Sequence, residues 1–471
     1  MSAEESGPSS SPQAVRWSFH RSFSFWRNLI VAFLVISPSL IRLWCLSKVP
    51  PAAIPFDVDE FCRIEIEPGQ NAFDYFGEAG RLKASVTADY KAKDKTYQWA
   101  ADHRAVMANG WSVATDSMKQ WLLDHREAMQ VWRRGTECSD SLIVAPLATS
   151  FDEMTPVLQD FQALARMVEC DGMRLESEGR LLEAAEVYLA ILRSSDLVGR
   201  HGCVMQKLLG MAMYRMATER LIKWSEDSRL RADELRLVLK QVRSVNRSFE
   251  PPSIALKFEY QFTIKTLSKT GWCKRLRLAE NYEKFEPYAS TGMEAFLWIL
   301  GEPEVSRRTL THVLTNQLRE VDKPMAERSP MAQPPIVGLF TTSGELSSQS
   351  FPPAAIERAV QRSVVASHIL ALFSTYDREI GRDRSRRVGL ELVLAARIYF
   401  RDHGEFPAER SDLIPDYIDS WPADPLQATA DGLMQYERES TTSARIRSLG
   451  AKGFDATLQL RTPTTTEQLA P

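Results

Sequence analysis

Residues Asp171–Leu192 read DGMRLESEGRLLEAAEVYLAIL, and their reading decides the fold class. Gly172, Gly179 and Ala184 are small enough to let two antiparallel helices approach closely, while Tyr188 and Leu192 fill the groove between them. One helix pair cannot bury its own outer face, so neighbouring helices must complete a stack. The expected neighbours lie around residues 118–134 and 203–224. Outward from there the chain reads as helix after helix, from about Asn71 to Ser248, with few strand-like alternations. Glu250-Pro251-Pro252 marks a break, and helical patterning resumes from about Ile254 to Val321. The expected class is mostly α.

The small and aromatic positions of this stretch resemble a tetratricopeptide (TPR) helix pair, a repeat with a period of about 34 residues. One copy is recognisable. The resemblance implies a TPR-like helical body over residues 71–321. Met205, Met211, Met213 and Met216 read as core filling, with a pliable binding surface as the alternative.

Upstream, Leu29–Leu46 read LIVAFLVISPSLIRLWCL, fourteen apolar residues in eighteen. About 20 mostly apolar residues suffice to cross a bilayer as a helix. Pro38 is tolerable in such a helix, and Arg42 lies near one end, where its side chain can reach the headgroups. Phe25, Trp26 and Trp44 flank the run as interfacial aromatics do. The expected single-pass signal-anchor spans 28–47. Cleavage near Ala52-Ala53 and a buried core helix are the competing readings. Arg16, Arg21 and Arg27 precede the run and Lys48 and Arg63 follow it, so the positive-inside bias favours a cytoplasmic N-terminus and an exported C-terminal body. The expected location is the inner (cytoplasmic) membrane.

Around this span, residues 1–27 read as a disordered cytoplasmic tail, rich in Ser, Pro and Glu at its start. Residues 48–70, with Pro50-Pro51 and Pro55, read as a stalk. Residues 322–353 read as a loop or linker, 354–403 as helices joining body to C-terminal module, 404–461 as that module, and 462–471 as a disordered tail. Beyond residue 48 the chain holds 53 basic and 59 acidic residues, net −6, which is no nucleic-acid footprint. The six cysteines, Cys45, Cys62, Cys138, Cys170, Cys203 and Cys273, form no C-x-x-C pair. Disulfides in an exported body and buried free thiols are both open.

Gln98-Trp99-Ala100-Ala101-Asp102-His103-Arg104 recurs as Gln120-Trp121-Leu122-Leu123-Asp124-His125-Arg126, with Met107 and Met129 at the same offset. Gly110 between the copies argues for two helices. Consecutive Asp, His and Arg do not face one another on a helix, so the triplets read as helix-surface capping and pairing and not as a metal or acid–base site. His20, His103, His125, His201, His312, His368 and His403 are scattered, and no G-x-S-x-G, Walker A, G-x-G-x-x-G or H-E-x-x-H occurs. No catalytic, cofactor-binding or metal-ligating residue is assigned, and no cofactor is expected.

Leu390–Leu426 read LELVLAARIYFRDHGEFPAERSDLIPDYIDSWPADPL, followed by Leu433-Met434-Gln435-Tyr436 and Arg447-Ser448-Leu449-Gly450-Ala451-Lys452-Gly453-Phe454-Asp455. These resemble the post-helix region of type II secretion major pseudopilins at Tyr399, Gly404, Phe406, Pro407, Leu413, Trp421, Asp424, Pro425, Tyr436, Ser448 and Gly450. The resemblance implies a small α+β module. A pilin cleavage site is missing before Leu29, so no pilin-like polymerisation is expected. Some pseudopilins bind calcium in the final loop; here Lys452 stands where an acid would help, and Asp424 and Asp455 alone are too few ligands.

The whole layout resembles membrane-anchored proteins of planctomycete-type bacteria, on Trp121-Leu122 through Cys138, Gly179 through Leu192, and Leu390 through Pro425. No activity is attached to that group. The expected function is a membrane-tethered, non-catalytic scaffold or adaptor that binds another protein of the cell envelope. An envelope hydrolase and an accessory component of a secretion or pilus-like machine are the alternatives.

Overall fold

The computed structural model describes residues 13–49, 51–92, 99–143, 151–269, 272, 288–328, 364–427, 432–450 and 453–459. Residues 1–12 of the expected tail, most of the 322–353 loop, the helix start at Pro353-Ala354, Cys273, Lys452 and the 462–471 tail lie outside the described residues.

The protein is mostly helical, with one small antiparallel sheet near its C-terminal end. Helix α1 spans Gln13–Ser47. Its Ser24–Ser47 part has a mean hydropathy of 2.2 and none of its apolar window buried, long and apolar enough to cross a membrane. The helix begins well before the expected residue 28. No proline or glycine interrupts the chain between Gln13 and Asn28, and Pro12 sits just ahead of it, so nothing there breaks helical bonding.

Residues 48–70 do not form a free stalk. Val49 is fully buried against Val305, and Phe56 sets its edge on Phe61 and Tyr260 at centroid distances of 5.4 and 6.1 Å. Short helix α2 (Val58–Cys62) is capped by the Asp57 carboxylate, which accepts from the Asp59 and Glu60 amides. The segment lies on the body because its few large apolar side chains have partners there, and burial of apolar area outweighs the pull of its prolines toward an extended chain.

The body continues with α3 (Ala72–Ala92), α4 (Trp99–Asn109), α5 (Asp116–Asp124), α6 (Arg126–Gly135), α7 (Phe151–Ser177), α8 (Leu181–Gly199), α9 (Val204–Trp224) and α10 (Ala232–Arg247). The helix pair read from Asp171–Leu192 is present as α7 and α8, with Gly179 at φ +76 in the turn between them. The close approach is real: a Cβ on Gly172 would stand 2.4 Å from the Tyr188 ring. Helix α8 is buried along almost all of its length, from Ala184 to Gly199, which makes it the central helix of the body. Both expected neighbours, α5–α6 and α9, flank this pair.

Pro252 opens α11 (Pro252–Leu267) at its first turn. Helices α12 (Tyr288–Ile299) and α13 (Glu304–Glu320) follow. Residues 364–403, expected as several joining helices, form one continuous helix, α14 (Val364–His403). Strands β1 (Gln435–Ser440), β2 (Ser443–Arg447) and β3 (Asp455–Gln459) pair antiparallel in that order. Ala444, Ile446, Ala456 and Leu458 alternate inward. The large core runs from Ala72 through α14 to Leu458 without a break at Gly404. A second core gathers α11 and α13 around Tyr376 and Ile380 of the same helix α14.

Among the described cysteines, Cys45, Cys62, Cys138, Cys170 and Cys203 are free thiols, and Cys170 and Cys203 are buried.

Candidate functional site

Among the described residues, a groove of about 600 Å³ lies between α5–α6 and the α7–α8 pair. Its apolar floor includes the buried Leu122, Met129 and Leu175, and Trp111 also lines it. It runs on past Gln130 and Arg133 into a second hollow bounded by Arg134 and Glu137. Helices α5 and α6 are short and meet at His125, while α7 and α8 are longer. Helix α6 is strongly two-sided: Ala128, Met129, Val131 and Trp132 face inward and Arg126, Gln130, Arg133 and Arg134 outward or into the groove.

The groove acids are already matched. Arg174 bonds Asp171 at 2.8 Å and Glu178 at 2.6 Å. Arg180 bonds Glu183 at 2.6 Å and holds its carboxyl below the usual range. Glu186 is paired with Arg193 outside the groove at 2.5 Å. Lys119 is paired with Asp116, at 3.1 Å. Arg126 and Arg133 have no carboxylate within ion-pair distance among the described residues. The groove therefore carries surplus positive charge over an apolar floor.

The repeated heptapeptides encode a recurring structural pair. Trp99 stacks on His103 at 5.5 Å and Trp121 on His125 at 4.2 Å, each one helical turn apart. Asp102 accepts from Thr115, the residue that caps α5, and Asp124 accepts from the Tyr90 hydroxyl, both at 2.6 Å. The surface reading misses His125, which is fully buried where α5 meets α6. Its Nδ1 lies 2.8 Å from the Trp121 carbonyl, and burial pushes its pKa below 6.5. Met107 takes a contact from Arg220 at 3.0 Å, and Met129 lies in the core. Met211 and Met213 are buried while Met205 is exposed, so the methionines of α9 mainly fill the interior.

One half-buried polar cluster and two buried charged groups escaped the sequence reading. His201 joins Asp140 and Glu250 at 3.1 Å each, with Lys207 on Glu250 at 3.3 Å. Burial pushes the Glu259 carboxyl up to about 7, where it accepts from the Val204 amide at 3.3 Å. Arg397, fully buried on α14, lies 3.7 Å from Glu226 and over the Phe406 ring, and burial pulls its pKa to about 10. Each draws its partners from distant parts of the chain, so no local spacing signals it.

Most residues matched to the pseudopilin pattern converge. Tyr399 packs edge-on against Tyr417, Trp421 against Tyr436, and Phe406 and Leu413 are fully buried. The Tyr436 hydroxyl donates to Pro407 at 2.6 Å. The two acids weighed for calcium are engaged by protein donors. Asp424 accepts from the Ser448 hydroxyl and from the Leu426 and Leu449 amides at 2.8–3.0 Å, and Asp455 accepts from Arg445 at 2.9 Å. Among the described residues no group of three or more His, Cys, Asp and Glu converges in metal-binding geometry.

Comparison with family models, curated proteins and solved structures found no match to this chain.

Proposed function

We propose that the protein is a membrane-tethered, non-catalytic adaptor whose exported helical body holds an acidic peptide or helix of another envelope protein. The observation that carries this reading is the α5–α8 groove, in which Arg126 and Arg133 make no direct ion pair above Leu122, Met129 and Leu175, although Arg133 lies near enough to Glu183 to help lower its carboxyl. An amphipathic segment lays its apolar face on such a floor, and its carboxylates meet the guanidinium groups. In this reading α7–α8 is a TPR-like unit and α1 an uncleaved anchor in the inner membrane, with a cytoplasmic N-terminus. The C-terminal module is pseudopilin-like in its order of long helix, short turn and three strands. It serves as part of the body's core and not as a polymerising stem.

The test is affinity purification of the full chain from detergent-solubilised membranes, beside an R126E/R133E variant. Both arginines reach solvent, so the variant is expected to melt with the wild type. A protein that accompanies the wild type and is lost from the variant supports the groove. An identical set of companions for both chains overturns it.

A further inference from the structure

The exposed large apolar residues of the body are mostly solitary, as at Leu123, Leu237 and Leu449. Helix α12 is different. Phe296, Trp298 and Leu300 are 57%, 46% and 39% exposed within five residues. Leu300, one residue past the end of α12, continues its last turn by donating to the Phe296 carbonyl at 3.3 Å, so at 100° per residue Phe296 and Leu300 share one side and Trp298 lies on another, while Leu297 packs into the second core. A helix end that is apolar on several sides belongs in an apolar surrounding.

Its place in the molecule identifies that surrounding. The corner between α12 and α13 is bound to the last turns of α1. Arg42 donates to the Glu302 carbonyl at 3.0 Å, and its guanidinium lies 4.6 Å over the Trp298 ring. Arg308 donates to the carbonyls of Leu46 and Val49 at 3.2 and 3.0 Å. A Cβ on Gly301 would stand 3.3 Å from that of Cys45. The same end of α1 carries Trp44, with Lys48 5.0 Å over its ring. From Trp26 to Trp44 an α-helix rises about 27 Å, close to the hydrocarbon thickness of a bilayer. Trp44 then sits at the headgroup boundary, where tryptophan and basic side chains collect. Arg42 is half a turn away, so Trp298 is held at the same depth from another part of the chain.

We propose that the C-terminal end of α12, with Phe296, Trp298 and Leu300, inserts into the lipid leaflet that α1 leaves, giving the body a second hold on the phospholipid surface. The proposal rests on α1 as a membrane span. It also gives Arg42 a role: the arginine is satisfied by the body and the span is locked to the body at a set depth. With two attachment points the body cannot swivel freely about α1.

The test places a photo-reactive benzoylphenylalanine at Phe33, Phe296 or Leu237, one at a time, in the full chain. The protein is reconstituted in vesicles of phosphatidylcholine and phosphatidylglycerol and irradiated, and adducts are read by mass spectrometry. All three side chains are exposed, so none of the replacements crowds the core. Lipid adducts at 33 and 296 in comparable yield, with none at 237, are expected. Lipid at 33 but not at 296 overturns the second hold and leaves the anchor standing. A protein–protein adduct at 296 overturns it in favour of a self-association surface. No lipid at 33 removes the span, and this inference falls with it.

Discussion

His201 occupies the left-handed region at φ +47, a conformation that costs a side-chain-bearing residue free energy. The imidazole offsets that cost. Both ring nitrogens meet carboxylates, Asp140 from the loop after α6 and Glu250 from the turn before α11, and the His201 amide also donates to Glu250. Lys207 closes the cluster from α9, and Arg200 ties the same loop to the Ser139 and Ser248 carbonyls. Burial pulls the His201 pKa down, but Glu250 and Asp140 outweigh it and the net shift is above 6.5. For Glu250, burial pushes up, and His201 and Lys207 outweigh it, holding the carboxyl below 4.5. The His201 contribution to stability is therefore complete below pH 6.5 and drains away as pH rises through its raised folded value, while that of Glu250 is present above pH 4.5 and is lost as pH falls through its lowered folded value. His201→Gln is expected to cost about 1–3 kcal/mol, with a larger deficit near pH 6 than near pH 9. The buried His125, whose pKa is pushed down, bends the curve the other way, but it is common to both proteins and cancels in the difference. Urea unfolding of the two detergent-solubilised chains at both pH values gives the measure; an equal deficit at each would remove the charged clamp. None of this is visible in sequence. His201 stands out only as one of seven scattered histidines, and its partners lie 61, 49 and 6 positions away.

Helix packing was far more legible than these charge clusters, because close approach needs small residues and deep burial needs large apolar ones, and both leave local marks. Gly172 and Tyr188 announced α7–α8 from sixteen residues apart, and the structure seats one on the other. The heptapeptides, read as helix-surface capping and pairing, each hold a stacked Trp–His pair that this reading did not name, and the break at His125 was hidden inside the second copy. Gly210 carried no such mark, being one small residue in an apolar run, yet it makes the tightest approach in the body. A Cβ there would stand 2.2 Å from the Ser195 carbonyl oxygen of α8. Glycine in an exposed helix interior is ordinarily worse than alanine by about 1 kcal/mol. At Gly210 the sign should reverse, because backbone cannot step aside as a side chain can. Gly210→Ala is expected to destabilise by about 3 kcal/mol or more, and Gly172→Ala, which meets a ring able to tilt, by about 1–2 kcal/mol. Thermal melts of both variants test the order; a Gly210→Ala chain as stable as wild type would mean that α8 and α9 are not in backbone contact.

The molecule as a whole is less divisible than its composition implies. A change toward Pro, Asp and Thr after His403 marks a compositional boundary, and the helix, turn and strands that follow match the expected α+β module. The core ignores that boundary. Leu390, Leu392, Val393, Leu394, Ala395, Ala396 and Ile398 make α14 buried on all sides, against α9 and α10 on one flank and β2 and β3 on the other. Sequence spacing identifies a buried helix but does not say which elements bury it. The consequence is thermodynamic. Removing residues 404–471 takes Phe406, Leu413, Met434, Ile446, Phe454 and Leu458 from the core and opens one flank of α14 to water. Each large side chain lost leaves its neighbours short by about 2–5 kcal/mol, and several such losses exceed the 5–15 kcal/mol that holds an ordinary domain together. The truncated chain is therefore expected to lose the fold of the body, not only the module. Circular dichroism should show one cooperative transition for the intact chain, and the truncated chain should be aggregated or cleaved within α8 by limited proteolysis. A truncated protein that keeps a sharp melt and a protected α8 would establish the body as an independent domain.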